Sequence, residues 1–170
     1  TFRKYGNHTD VAVVGDMGNG KISGYGTIEG NQLNLSLSAD SIDATSFNGF
    51  IGNGLAGTLT GHALVTGDID NVSVEGRITS PEIIYNGSRL NSINAGFTIK
   101  DHVLDLQDAS IGDGDGAFTV NGTLNLKSKA LSMRARAKAV RIENLIRPFS
   151  NIPITGWFES ENDIHGTLDN

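Results

Sequence analysis

Leu55-Ala56-Gly57-Thr58-Leu59-Thr60-Gly61-His62-Ala63-Leu64-Val65 carries an apolar residue or Gly at every odd position, with Thr58, Thr60 and His62 between them. Successive side chains of an extended chain point to opposite faces, so a period of two gives a strand with one oily and one wet face. Glycine on the oily parity marks a bulge, a bend or a close backbone approach. The same pattern spreads outward on both sides. It runs through Ile22, Gly24, Gly26 and Ile28, then Leu33, Leu35, Leu37 and Ala39, and after the opening stretch Val72, Val74, Gly76 and Ile78. It returns in Ala95, Phe97 and Ile99, in Leu104 and Leu106, in Phe118, Val120, Gly122, Leu124 and Leu126, in Leu131 to Ala139, and in Ile154, Gly156 and Phe158.

Turn residues separate these runs at Asn31, Asn71, Asn86-Gly87, Asp101-His102, Gly112 to Gly116 and Lys127 to Lys129. Strands returning every 8–12 residues indicate an all-antiparallel, all-β architecture. Two stretches break the alternation. Ile142, Leu145, Ile146 and Phe149 have helical spacing, limited by Pro148, and Ile42 to Phe50 holds the matching place earlier as a helical turn or wide loop.

The chain also reads the same phrase twice. Asp16 and Asp113 lie 97 residues apart, Gly26 and Gly122 lie 96 apart, and Gly57–Gly156 and Gly67–Gly166 lie 99 apart. A steady offset indicates repeated supersecondary units. The copies span about 15–71 and 112–170, with 72–111 as intervening strands. The chain lacks a starting Met and stops at the closing phrase of its second copy, so a segment of a longer repetitive protein is expected. A long sheet of this kind curls, and its apolar face lines a trough that stacked units continue.

Composition narrows the function. The chain has 170 residues, 22 of them Gly and only 3 Pro, where average usage predicts about 12 glycines. The net charge is −6, against a nucleic-acid surface, which needs concentrated Lys and Arg. The one basic cluster, Arg134, Arg136, Lys138 and Arg141, reads as a solvated outer face, with an anionic partner or lipid headgroup as the alternative. There is no Cys, so disulfides and thiolate metal sites are excluded. No run approaches the roughly 20 apolar residues of a membrane span.

Motif-like spacings lack the context that chemistry requires. Gly15-x4-Gly20-Lys21 is followed by Ile22 instead of Ser or Thr and opens a strand instead of a helix. Gly52-x-Gly54-x-x-Gly57 also runs into a strand. Gly112-Asp113-Gly114-Asp115-Gly116 lacks the remaining calcium ligands and reads as a tight turn. His8, His62, His102 and His165 have no ligand spacing. The acids sit largely in turns, where backbone hydrogen bonding accounts for them. Trp157 and Tyr25 take polar-parity positions. No catalytic residue, cofactor or metal is expected.

The phrase Gly67-Asp-Ile-Asp-Asn-Val-Ser-Val-Glu-Gly-Arg-Ile-Thr-Ser-Pro81 resembles a recurring element of the AsmA-like superfamily, the TamB-like proteins in particular. Asp105-Leu106, Asp108 to Gly114 and Phe118 to Leu124 resemble it too. Asn71-Val72 stands where the family has Asn-Pro, and the likeness extends over roughly Gly15 to Asn170. The resemblance implies a taco-shaped, β-rich periplasmic bridge anchored in the inner membrane of a diderm bacterium. It also implies phospholipid carriage toward the outer membrane and an outer-membrane barrel partner in protein assembly.

The expected fold is therefore a single curved antiparallel sheet over 1–170 forming an open hydrophobic groove. Its expected lining is Leu33, Leu35, Leu37, Leu59, Val65, Val74, Ile78, Phe97, Leu124, Leu126, Met133 and Phe158. Phospholipid acyl chains are the expected ligand, and the inner-face glycines are expected to leave room for two chains or for bending. Two other readings stand beside it. One is a scaffold that adds a strand to a client barrel protein through a sheet edge, with edge or end-to-end pairing between copies. The other is a closed β-solenoid stalk with a filled core.

Overall fold

The computed structural model describes residues 1–51, 54–113, 116–146 and 152–167. Its strands are β1 Phe2–Tyr5, β2 His8–Met17, β3 Gly20–Glu29, β4 Gln32–Asp43, β5 Leu55–Asp68, β6 Asn71–Tyr85, β7 Ser88–Lys100, β8 Val103–Asp113, β9 Gly116–Asn125, β10 Ala130–Arg141 and β11 Trp157–Thr167. All eleven form one antiparallel sheet in sequence order, with β1 and β11 as its edges, unpaired on their outer sides among the described residues. The sheet is not closed into a barrel.

The two ends of the sheet differ. At one, which we call the turn end, strands are joined by tight turns such as Asp101-His102, where φ values of 48° and 63° give the primed geometry that matches strand twist. The opposite end carries a 3-10 turn at Ala44–Phe47 and short helices α1 Asn48–Ile51 and α2 Ile142–Ile146. Asp43 caps the 3-10 turn by accepting from the Thr45 amide. This is the helix end. Helix α2 follows β10 yet touches β7 as well.

A band of bulges lies toward the helix end between β4 and β11, while β1 to β4 pair in unbroken register. Register shifts occur between Ala39 and Ile42, between Gly57 and Thr60, on both sides of Asn94, between Leu106 and Ala109, and between Ala137 and Val140. Ser41, Ser92, Asp108 and Ala139 occupy them with φ between 48° and 56°. Pro81, inside β6, falls opposite Ser92 within this band; a proline without an N–H is tolerated in a sheet at bulges. Bulges bend a strand and increase its twist.

The core is small and lies mostly in or beyond this band, with Ala135 and Ala137 just before the β10 bulge. Among the described residues, Ile42, Ala44, Ile83, Ala135, Ala137 and Val140 are the buried apolar ones. Ser80 and Ser88 are buried with them; the Ser80 hydroxyl donates to the Glu82 carbonyl, and that of Ser88 has no partner among the described residues.

Repeat features recur in space. The bulge at Ser41 precedes the 3-10 turn and α1, and the bulge at Ala139 precedes α2. Gly20 faces the Ser41 backbone and Gly116 the Ala139 backbone so closely that no β-carbon fits at either.

Several expectations change. Strands β1 and β2 were not legible, because Val11-Ala12-Val13-Val14 does not alternate. Leu126 lies in the β9–β10 turn, where its amide donates to the His102 carbonyl. Ile154 and Gly156 precede β11, so Phe158 is the second residue of the last strand. The turn after Asp68 is Ile69-Asp70, and Asn71 opens β6. Phe149 lies outside the described residues.

Candidate functional site

Strand pairing sorts the side chains into rows that run across the sheet. One row on the apolar face is Val11, Gly26, Leu35, Val65, Val74, Ile99, Leu104, Leu124 and Leu131. The next, toward the helix end, is Val13, Gly24, Leu37, Ala63, Gly76, Phe97, Leu106, Gly122 and Met133. Neither row holds a charged or hydrogen-bonding side chain. At strand spacing the rows extend roughly 38 Å from β2 to β10.

Among the described residues no element covers this face. Most residues of the two rows are half-buried or exposed, and Val13, Leu37, Ile78 and Ile164 on this face are 39–50% exposed. The chain exposes 10785 Å² of surface, about a third more than the roughly 8,000 Å² of a compact protein of this mass. A large contiguous apolar patch marks an interaction surface. A hollow of about 260 Å³ lies on it, bounded by Ile22, Leu37, Ala39, Gly61, Ala63, Ile78 and Phe97, with Ser38, His62 and Arg77 at its border.

Eight of the expected lining residues fall on the turn side of the bulge band: Leu33, Leu35, Leu37, Val65, Val74, Phe97, Leu124 and Met133. Ile78 sits at the band. Leu59 lies beyond it, paired with Ile42, and Phe158 lies beyond it beside Val140 on the edge strand. Leu126, in its turn, is 49% exposed and is not part of the rows. Sequence reasoning missed Val11 and Val13, which belong to the strand that does not alternate, and omitted Ile99, Leu104, Leu106 and Leu131, which alternate plainly.

The glycines do not leave the room expected of them. Leu37 lies over Gly24 and Phe97 over Gly76, so that a β-carbon at either glycine would stand 2.8 or 2.7 Å from the neighbouring side chain. Large residues thus fill the space beside strand glycines. Gly57 and Gly122 serve a different need: φ values of 129° and 145° bring the adjacent backbone where a β-carbon would be.

The opposite face is polar and internally paired. Arg134 donates from Nε to Asp163 at 2.7 Å and Arg136 to Glu161 at 2.8 Å, so half of the basic cluster is neutralised across β10 and β11. Asp163 and Glu161 are held below the usual carboxylate range, chiefly by hydrogen bonds from Arg134 and Arg136 respectively. His8 bonds Asp10 at 2.9 Å and Glu29 at 3.1 Å, and these two bonds raise its pKa. Arg141 lies 5.5 Å from the Trp157 ring centroid. Two further hollows, of about 300 and 470 Å³, lie among polar residues such as Glu75, Arg77 and Gln107, and Arg134, Asp163 and His165. Among the described residues, no cluster suited to a metal ion and no helix long and apolar enough to cross a membrane is present.

Fold and site together define a single-layer antiparallel sheet with one polar face and one open apolar face. Comparison with family models, with curated proteins and with solved structures finds no match.

Proposed function

We propose that the chain is a segment of a lipid conduit in which phospholipid acyl chains lie along the open apolar face. The observation that carries this reading is the pair of uncharged, uncovered rows from Val11 to Leu131 and from Val13 to Met133. Each methylene taken out of water there contributes about 0.8 kcal/mol, enough in sum to hold a tail. No polar side chain converges on the rows to fix a headgroup, so sliding along them meets little resistance. The resemblance to the TamB-like, AsmA-like proteins supplies the setting: a periplasmic bridge anchored in the inner membrane and directed to the outer one. No chemistry on the lipid is part of the proposal.

A second reading is favoured by one observation. The outer edge of β11 is unpaired, and a free edge accepts an added strand, as a scaffold for a barrel protein requires. A stalk without ligand is disfavoured, because it needs a filled interior and the apolar face here is open.

Titration with a fluorescent fatty acid, in the absence of detergent, separates these readings. Saturable binding that is lost in Leu124→Arg supports the conduit. Binding unchanged by that substitution, or none at all, refutes it.

A further inference from the structure

We infer that the band of bulges divides the apolar face into a filled half that holds the sheet together and an open half that takes the ligand. The aliphatic chain then lies only on the turn side of the band. This rests on the conduit reading and adds where on the face the ligand sits.

The division follows from how burial and backbone geometry coincide. Four non-glycine residues on four strands, Ser41, Ser92, Asp108 and Ala139, share the left-handed conformation. Such residues are uncommon singly, and each bulge bends its own strand and increases the local twist, here on β4, β7, β8 and β10. Beyond the bend the side chains pack: Ile42, Ile83 and Val140 are 3–5% exposed, each placed just after a bulge. Helix α2 and the 3-10 turn lie at this end, and α2 reaches across to β7. Before the bend most side chains on the same face stay open, with Leu37 39% and Val13 50% exposed; on β10 the packed region reaches back to Ala137 and Ala135, at 5% and 4%.

The chemistry of the open half selects its occupant. Its two rows offer neither a charge nor a hydrogen bond, so a lone protein strand, unpaired with any sheet, would bury its own polar backbone on them without partners. A saturated hydrocarbon chain has no such groups. The filled half bears the buried hydroxyl of Ser88.

The test places a photoreactive benzoylphenylalanine singly at Leu35 and Leu124, on the open side, and at Leu59 and Leu90, beyond the band, with palmitate as the probe. Palmitate adducts at the first pair are expected to exceed those at the second at least tenfold. Equal yields at all four positions overturn the division but leave the conduit reading standing. Absence of palmitate adducts everywhere overturns both, and protein–protein adducts at Leu35 and Leu124 assign the open half to a second copy instead. Val140→Ala supplies an independent check. It is expected to lower Tm by about 5 °C while leaving the adduct yield at Leu35 within twofold; a folded Val140→Ala protein that loses the adduct overturns the inference.

Discussion

The ring of Phe97 lies across Gly76 on the neighbouring strand, where a β-carbon at position 76 would meet Phe97 Cζ at 2.7 Å and the His62 carbonyl oxygen at the same distance. The ring can move aside, but the carbonyl belongs to β5 and cannot. Gly76→Ala is therefore expected to destabilise the sheet by about 1–3 kcal/mol, the range for overpacking. Urea denaturation measures it; a change below a few tenths of a kcal/mol contradicts the packing described.

Charge placed on the two halves of the apolar face separates binding from folding. Leu35 is half-buried on the open half, so Leu35→Arg can extend its guanidinium into water and is expected to lose less than about 1.5 kcal/mol. It is expected to abolish fatty-acid binding all the same. Ile83 is 5% exposed, and Ile83→Arg is expected to lose more than about 4 kcal/mol, because a buried charge has no partner there. Circular dichroism melts of both variants give the comparison.

The two buried serines behave oppositely. Ser88→Ala removes a hydroxyl without a partner and is expected to raise stability by up to about 1 kcal/mol. Ser80→Ala removes the 2.9 Å bond to the Glu82 carbonyl and is expected to lower it by about 1 kcal/mol. A loss in both variants indicates that Ser88 has a partner.

Stability is expected to fall on both sides of neutral pH. The folded state lowers the pKa values of Asp163 and Glu161, so their contribution is present above the usual carboxylate range and disappears as pH falls below about 4. His8 titrates the other way. Its raised pKa gives a contribution fully present below about pH 6.5 and lost as pH climbs through the folded-state value. His8→Gln should flatten the alkaline limb alone, and Asp163→Asn should weaken the acid limb. All three groups are exposed, so salt should diminish both effects.

Much of the fold was legible because one physical rule, the alternation of a half-buried strand, covers most of the chain. It placed Leu35, Val65, Val74 and Leu124 on a common face, and their pairing brings them into one row. It failed where other rules act. Val11 to Val14 is apolar on both parities, since β2 lies next to the edge strand and Val14 is left 79% exposed. The bulges are invisible to a strict period of two: Ser41, Ser92 and Ala139 have no special composition, and only the register with neighbouring strands reveals them. Leu126 continued the alternation in sequence, yet the chain had already turned. The role of the glycines was misread because a missing side chain looks like space, whereas Leu37 and Phe97 fill it from the adjacent strands.

The central claim is that the rows through Leu35 and Leu124 remain uncovered and hold hydrocarbon. Mass spectrometry of chloroform-extracted lipid from protein purified without detergent tests it most directly. The account predicts phospholipid accompanying the native chain and largely absent from an equally folded Leu124→Arg variant. A native chain free of lipid, or equal lipid on both proteins, would contradict it.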